Sequence, residues 1–183
     1  MITCEEIYDL HTTGALESAL CEAYREIPLD SRNSMRKNDT PLHMACAFVD
    51  ENAVRILLER GADVNVRNDD GDTPLCVLAK RKCCGKETTI AGIAGLLVSK
   101  EARVPRSGKN TTALIEAVGN RHFLMADILL MSGCRIDSTN SNGNNVLHVI
   151  CQSAGDIAYD IKRTKERIAD FSERWYSEKD KRE

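Results

Sequence analysis

Thr40-Pro41-Leu42-His43-Met44-Ala45 returns 33 residues later as Thr73-Pro74-Leu75-Cys76-Val77-Leu78, and between them runs Leu57-Leu58-Glu59-Arg60-Gly61-Ala62-Asp63-Val64-Asn65. A phrase that recurs at a fixed period of this length marks a chain built from repeated structural units. Weaker copies begin at Thr112 (Thr112-Ala113-Leu114-Ile115-Glu116-Ala117) and at Asn145 (Asn145-Val146-Leu147-His148-Val149-Ile150). The starts at 40, 73, 112 and 145 are spaced 33, 39 and 33, so the middle unit carries an insertion.

Each phrase has a physical meaning. Thr40 and Thr73 follow an Asp and precede a Pro. Proline suits the first turn of a helix because its φ is fixed and its missing N–H has no intrahelical partner there, while the preceding Thr can cap. Leu42, Ala45 and Cys46 form one apolar stripe, and Val54, Ile56, Leu57 and Leu58 give a second helix a wide apolar face. Gly61 is placed to end that helix in the left-handed region. Asn68-Asp69-Asp70-Gly71 is turn chemistry and predicts a hairpin-like projection between units.

These phrases resemble the ankyrin repeat, and Thr40 to Asp72 agrees with that family's pattern at nearly every signature position. The resemblance extends over most of residues 3 to 155. It implies an all-α solenoid of stacked helix-turn-helix units with β-hairpin-like loops over residues 1–155. The units are a degenerate N-terminal capping repeat (1–35), 36–72, 73–111 with the insertion, 112–144, and the start of a fourth (145–155). In the first of these, Thr3-x-x-Glu6 is a capping-box signature. Leu16, Ala19, Leu20, Ala23 and Tyr24 then fall at amphipathic-helix spacing. The resemblance also implies that His43 and His148 hydrogen-bond locally to hold the turn.

Two stretches depart from the pattern. In the second full repeat the first helix is expected to end near Lys80 to Lys82, and Leu96-Leu97-Val98 recover the second-helix pattern only after Cys83 to Gly95. Gly92 and Gly95 each cost about 1 kcal/mol in a helix relative to Ala, which makes this unit the expected soft point. After Cys151, residues 156–183 read as a long, amphipathic, densely charged helix. Ile157, Ile161, Thr164, Ile168, Phe171 and Trp175 form an interrupted heptad seam there. That helix either lies solvated on the last repeat or is the first arm of a helical hairpin, cut short, in an unfinished fourth repeat.

Composition narrows the function classes. With 42% apolar and 29% charged residues and a net charge of −3, the chain has no global pull toward nucleic acid or anionic membrane. It lacks an 18-residue apolar run, and Glu5, Glu6 and Asp9 stand where a signal peptide needs basic and then apolar residues. The eight cysteines show no Cys-x-x-Cys pair. Most read as small core hydrophobes in a reducing, cytoplasmic setting. Adjacent Cys83-Cys84, flanked by Arg81, Lys82 and Lys86, is the exception, because nearby positive charge lowers a thiol pKa.

No catalytic constellation, cofactor motif or metal-ligand spacing is visible, and His11 and His122 have no evident carboxylate or Cys partner. A non-enzymatic protein-interaction scaffold is therefore expected, monomeric, binding a protein through the concave face and neither nucleic acid nor membrane. Repeat register places Met44, Ala47, Phe48, Val77, Lys80, Arg81, Glu116, Asn120, Val149 and Gln152 on the exposed side of the first helices. Arg36, Lys37, Arg67, Asp69, Arg106, Lys109, Asn140 and Asn142 fall at the hairpin tips. Met44, Phe48 and Val77 framed by Arg67, Lys80 and Arg81 have the composition of a binding hot spot. Two other readings remain open: a regulatory or targeting fragment of a longer enzyme or effector, and a thiol or metal sensor at Cys83-Cys84.

Overall fold

The computed structural model describes residues 2–82, 85–100, 113–134, 139–140 and 142–153. Among these residues the elements are helical. They are α1 (Cys4–Thr13), α2 (Glu17–Glu26), α3 (Pro41–Phe48), α4 (Glu51–Glu59), α5 (Pro74–Ala79), α6 (Glu87–Ser99), α7 (Ala113–Gly119), α8 (Phe123–Met131) and α9 (Val146–Ser153). Consecutive helices pair as α1/α2, α3/α4, α5/α6 and α7/α8. The first helices pack side by side in the order α1, α3, α5, α7, α9, and the second helices in the order α2, α4, α6, α8. The core is the continuous seam between the two rows. Leu42, Leu57, Leu75, Ile90, Leu97 and Leu114 are all fully buried in it.

The starts and stops follow the local chemistry. Thr3 caps α1 in a reciprocal box with Glu6, and Gly14 ends it at φ 72°. Thr73 Oγ1 accepts the Cys76 N–H. Asp50 accepts the Ala53 N–H at 2.9 Å and caps α4, whose end passes into Gly61 at φ 87°. Gly133 repeats that φ after α8. α2 runs as expected, with Leu20, Ala23 and Tyr24 buried. Leu16, however, is 78% exposed, because it sits at the N-cap, outside the stripe that faces α4.

His43 ties one unit to the next. Its ring is fully buried, and Nε2 lies 2.9 Å from the Asp72 carbonyl oxygen, which can only accept. Nε2 therefore carries the proton, and Nδ1 accepts from the Thr40 N–H (3.2 Å) and hydroxyl (2.8 Å). The hairpins are joined as well. Asn68 Nδ2 donates to Asp39 Oδ1 (2.8 Å), the Asp69 N–H donates to the Lys37 carbonyl (2.8 Å), and Arg32 reaches the Arg67 carbonyl (2.9 Å). Three hairpins among the described residues are closed by an Asn. Asn33, Asn68 and Asn140 donate backbone N–H groups to the Asp39, Asp72 and Asn144 carbonyls, and the Asn68 and Asn140 side chains accept the Asp72 and Asn144 N–H groups in return.

The insertion differs from its sequence reading. The second-helix pattern does not wait for Leu96, since α6 is already helical at Glu87 and is 13 residues long against 9 for α4. Ile90, Ala91, Ile93 and Ala94 supply a buried face ahead of Leu97. This apolar spacing outweighs the propensity cost of Gly92 and Gly95, and it lets α6 pack on both α4 and α8. The Cys83-Cys84 pair and the helix expected over 156–183 lie outside the described residues.

Two tests follow from this packing. Leu57→Ala should cost about 2–5 kcal/mol in a denaturant titration, whereas Met35→Ala, 84% exposed at a hairpin, should stay within about 0.5 kcal/mol. Equal effects would contradict a shared core. Burial holds His43 below the ordinary imidazole value of 6.5, so the unfolded chain takes up the proton first. Stability should therefore be full above pH 6.5 and fall as pH drops below it. His43→Cys, the residue found at Cys76, should lower stability by about 1–3 kcal/mol at neutral pH by leaving the Asp72 carbonyl without its donor. It should also flatten the acid-side slope, leaving the part due to His11, whose pKa burial also lowers.

Candidate interaction surface

The surface expected to bind a partner is built by α3, α5 and α7 with the hairpins that precede them. The structure corrects its apolar centre. Met44 is 1% exposed and Ala47 is buried, so neither can meet a partner. Met44 Sδ lies 3.8 Å from the Asn33 amide, under the first hairpin, while α1 packs against α3 on one side and α5 on the other. Phe48 is half-buried and also turns inward. Its ring stacks on His11 with centroids 4.0 Å apart and planes 8° from parallel, and it meets Tyr8 at 5.6 Å. The degenerate N-terminal helix has closed over the first full unit.

The polar part of the row remains outside. Lys80 is exposed and its Nζ is 2.5 Å from Asp72 Oδ2. Val77 and Arg81 are half-buried on the same helix and its end. Arg67 is exposed and donates to the Gly71 carbonyl (2.6 Å). Asp69, also exposed, accepts from Asn38 (2.9 Å), and Lys37 pairs with Asp70. Asn120 is half-buried and its amide is committed to the Ala79 carbonyl (3.0 Å), so it works as a tie between α7 and α5. Glu116 is half-buried, and Asn142 is exposed on the last hairpin. Arg106 and Lys109 lie outside the described residues.

Two buried groups around α5 have no hydrogen-bond partner among the described residues: Asp72 Oδ1 before the helix and Arg81 Nε after it. A buried polar atom left unpaired costs about 1–3 kcal/mol. In the neighbouring unit, Asp39 in the same register receives the Asn68 amide. Sequence reasoning passed over Asp72, although its register with Asp39 was visible.

Among the described residues the titratable groups do not gather into a reactive centre. His11 pairs with the Tyr24 hydroxyl (2.9 Å) and lies 3.9 Å from Asp50 Oδ2, a carboxylate neighbour that sequence spacing did not reveal because it arises only when α1 folds against α3. Burial keeps His11 and His43 below the usual imidazole value and raises the thiols of Cys4, Cys46 and Cys76. Cys134 is pushed up to about 12. Such thiols are protonated at neutral pH and act as core fillers. Among the described residues no group of three His, Cys, Asp or Glu side chains could hold a metal. No described helix is long and apolar enough to cross a membrane.

Residues 26–76 match the family model for ankyrin repeats in many copies. The chain is also 34% identical over 68 residues to an ankyrin repeat-containing protein of Schizosaccharomyces pombe, an alignment covering 33% of each chain. It thus spans about a third of the length of that curated relative. With the paired helices, the Thr-Pro-Leu-His cap and the bonded hairpins, these matches show ankyrin repeats over residues 26–76 and a likeness to an ankyrin repeat-containing protein.

Proposed function

We propose that this protein is a non-enzymatic interaction scaffold that holds a protein partner along its hairpins and first helices, centred on α5. Ankyrin repeats are protein-interaction modules, and their frame supplies rigidity rather than chemistry. The observation that carries the reading is the strip of exposed Arg67, Asp69 and Lys80 beside half-buried Val77 and Arg81, on α5 and the hairpin before it. Arg67 and Asp69 at the preceding hairpin, with Glu116 beyond, extend the strip with mixed charge, which favours specificity and orientation over raw affinity. Met44 and Phe48 have no part in it. The hot spot is more polar than the sequence suggests, with Val77 as its apolar element.

The test is affinity capture with the wild type beside an Arg67→Glu/Arg81→Glu variant and a Glu59→Lys control on the second-helix face. Both variants should melt close to the wild type. The first should lose the captured partner and the control should keep it. Retention by the charge-reversed variant would place the binding surface elsewhere.

A further inference from the structure

The last described helix is left half-covered. In the three complete units the leucine that follows the cap (Leu42, Leu75, Leu114) is fully buried, and each first helix packs on its own second helix. Leu147 of α9 stands in the same register but is 50% exposed. Its neighbour Val146 is fully buried and α9 packs on α7, so the helix itself is seated. Among the described residues no second helix accompanies α9. The uncovered side is the one that such a helix hides in the other units.

α8 offers the other half of the vacant position. In α4, Glu51 shows which side of a second helix meets the next unit, since a Cβ on Gly92 of α6 would lie 3.6 Å from its carboxylate. Val54 and Leu58 share that side with Glu51 by helical spacing. The same register on α8 reads Phe123, Ala126 and Leu130, apolar throughout. An aromatic where α4 has an acid suits a helix lying alongside.

The chain after α9 carries the matching pattern. Gly155 and Asp156 are a helix breaker and a capping residue, and a short connection brings the next helix back antiparallel beside its predecessor. Ile161 follows Asn145 by 16 residues where Leu57 follows Thr40 by 17, a slip of one that a turn absorbs. With Ile161 in the place of Leu57, Ile157 takes that of Ala53, and both of those residues are fully buried in α4. Lys162 then takes the place of Leu58, on the side that would meet a further unit. The inner stripe is kept and the outer one made polar, which is what the end of a repeat stack requires.

We propose that residues 157–168 are the second helix of the fourth unit and cap the solenoid, with Ile157 and Ile161 packed on Leu147 of α9 and Phe123 of α8. This segment is the occupant because three residues, Ala154 to Asp156, tether it to α9, so its effective concentration exceeds that of a free partner or a second copy. The inference does not depend on the scaffold reading.

Hydrogen exchange on the full chain tests the cap. Amides of residues 158–168 should exchange at least about tenfold more slowly than an unstructured chain, equally at low and high protein concentration. Ile157→Asp/Ile161→Asp should return them to near the unstructured rate and speed exchange in α9, while α1 to α4 keep theirs. Lys162→Asp, on the outer side, should change neither. Phe123→Glu, which restores the residue type of α4, should release the same amides from the opposite partner. Unprotected amides over 158–168 in the wild type, or an equal loss in Lys162→Asp, would overturn the cap. Unchanged protection in Phe123→Glu would overturn its packing on α8. Protection that grows with protein concentration would make a second copy the cover and overturn the assigned occupant.

Discussion

Each helix pair in this chain is too thin to bury its own apolar side, and everything else is arranged around that constraint. α3 and α4 hide Leu42 and Leu57 completely only because neighbouring pairs stand on both sides. Stability in such a stack is a sum of unit and junction contributions, and terminal units need a different outer face. The N-terminal pair solves this by exposing Leu16 and Ala19 at the flank while Tyr24, Ile7 and Ile27 stay fully buried. Its first helix also folds over α3, which removes Met44 and Phe48 from the surface.

The junctions are held by polar bonds as well as by apolar contact. His43 joins its own helix start to the next unit's Asp72 carbonyl, and Asn68 joins its hairpin back to Asp39. These bonds fix the relative rotation of adjacent units, which non-directional apolar burial leaves loose. The second unit keeps the shape with weaker means, since Cys76 stands where His43 does and offers only a thiol 3.4 Å from Thr73. Asp72 falls back on Lys80 for one oxygen, and the other has no partner among the described residues. Departure from the repeat pattern and an unsatisfied group coincide at one helix, α5.

The two edges of the stack draw on different resources of the same frame. The hairpin side offers mixed charge on rigidly bonded loops. At the opposite edge carboxylates are set by helix starts, since Glu17 and Glu51 open α2 and α4 and Asp50 caps the latter. Acidic residues favour such positions because they complement the helix dipole. The solenoid therefore brings carboxylates together along that edge as a by-product of beginning each second helix.

The sequence by itself determined the repeat, its register, its caps and its turn residues. Thr40-Pro41, Gly61 and Asn68-Asp69-Asp70-Gly71 encode local backbone geometry that needs no distant partner. It also located the insertion, though not its form, because periodicity over Ile90 to Leu97 decides between loop and helix only once α4 and α8 provide a surface to pack on. Which side chains face water was settled by tertiary structure alone. Met44 and Phe48 have the spacing of exposed residues, yet the packing of α1 on α3, a contact between residues some thirty or more apart in sequence, covers them. The His11–Phe48 stack arises in the same way, from surfaces that meet only when the units stack.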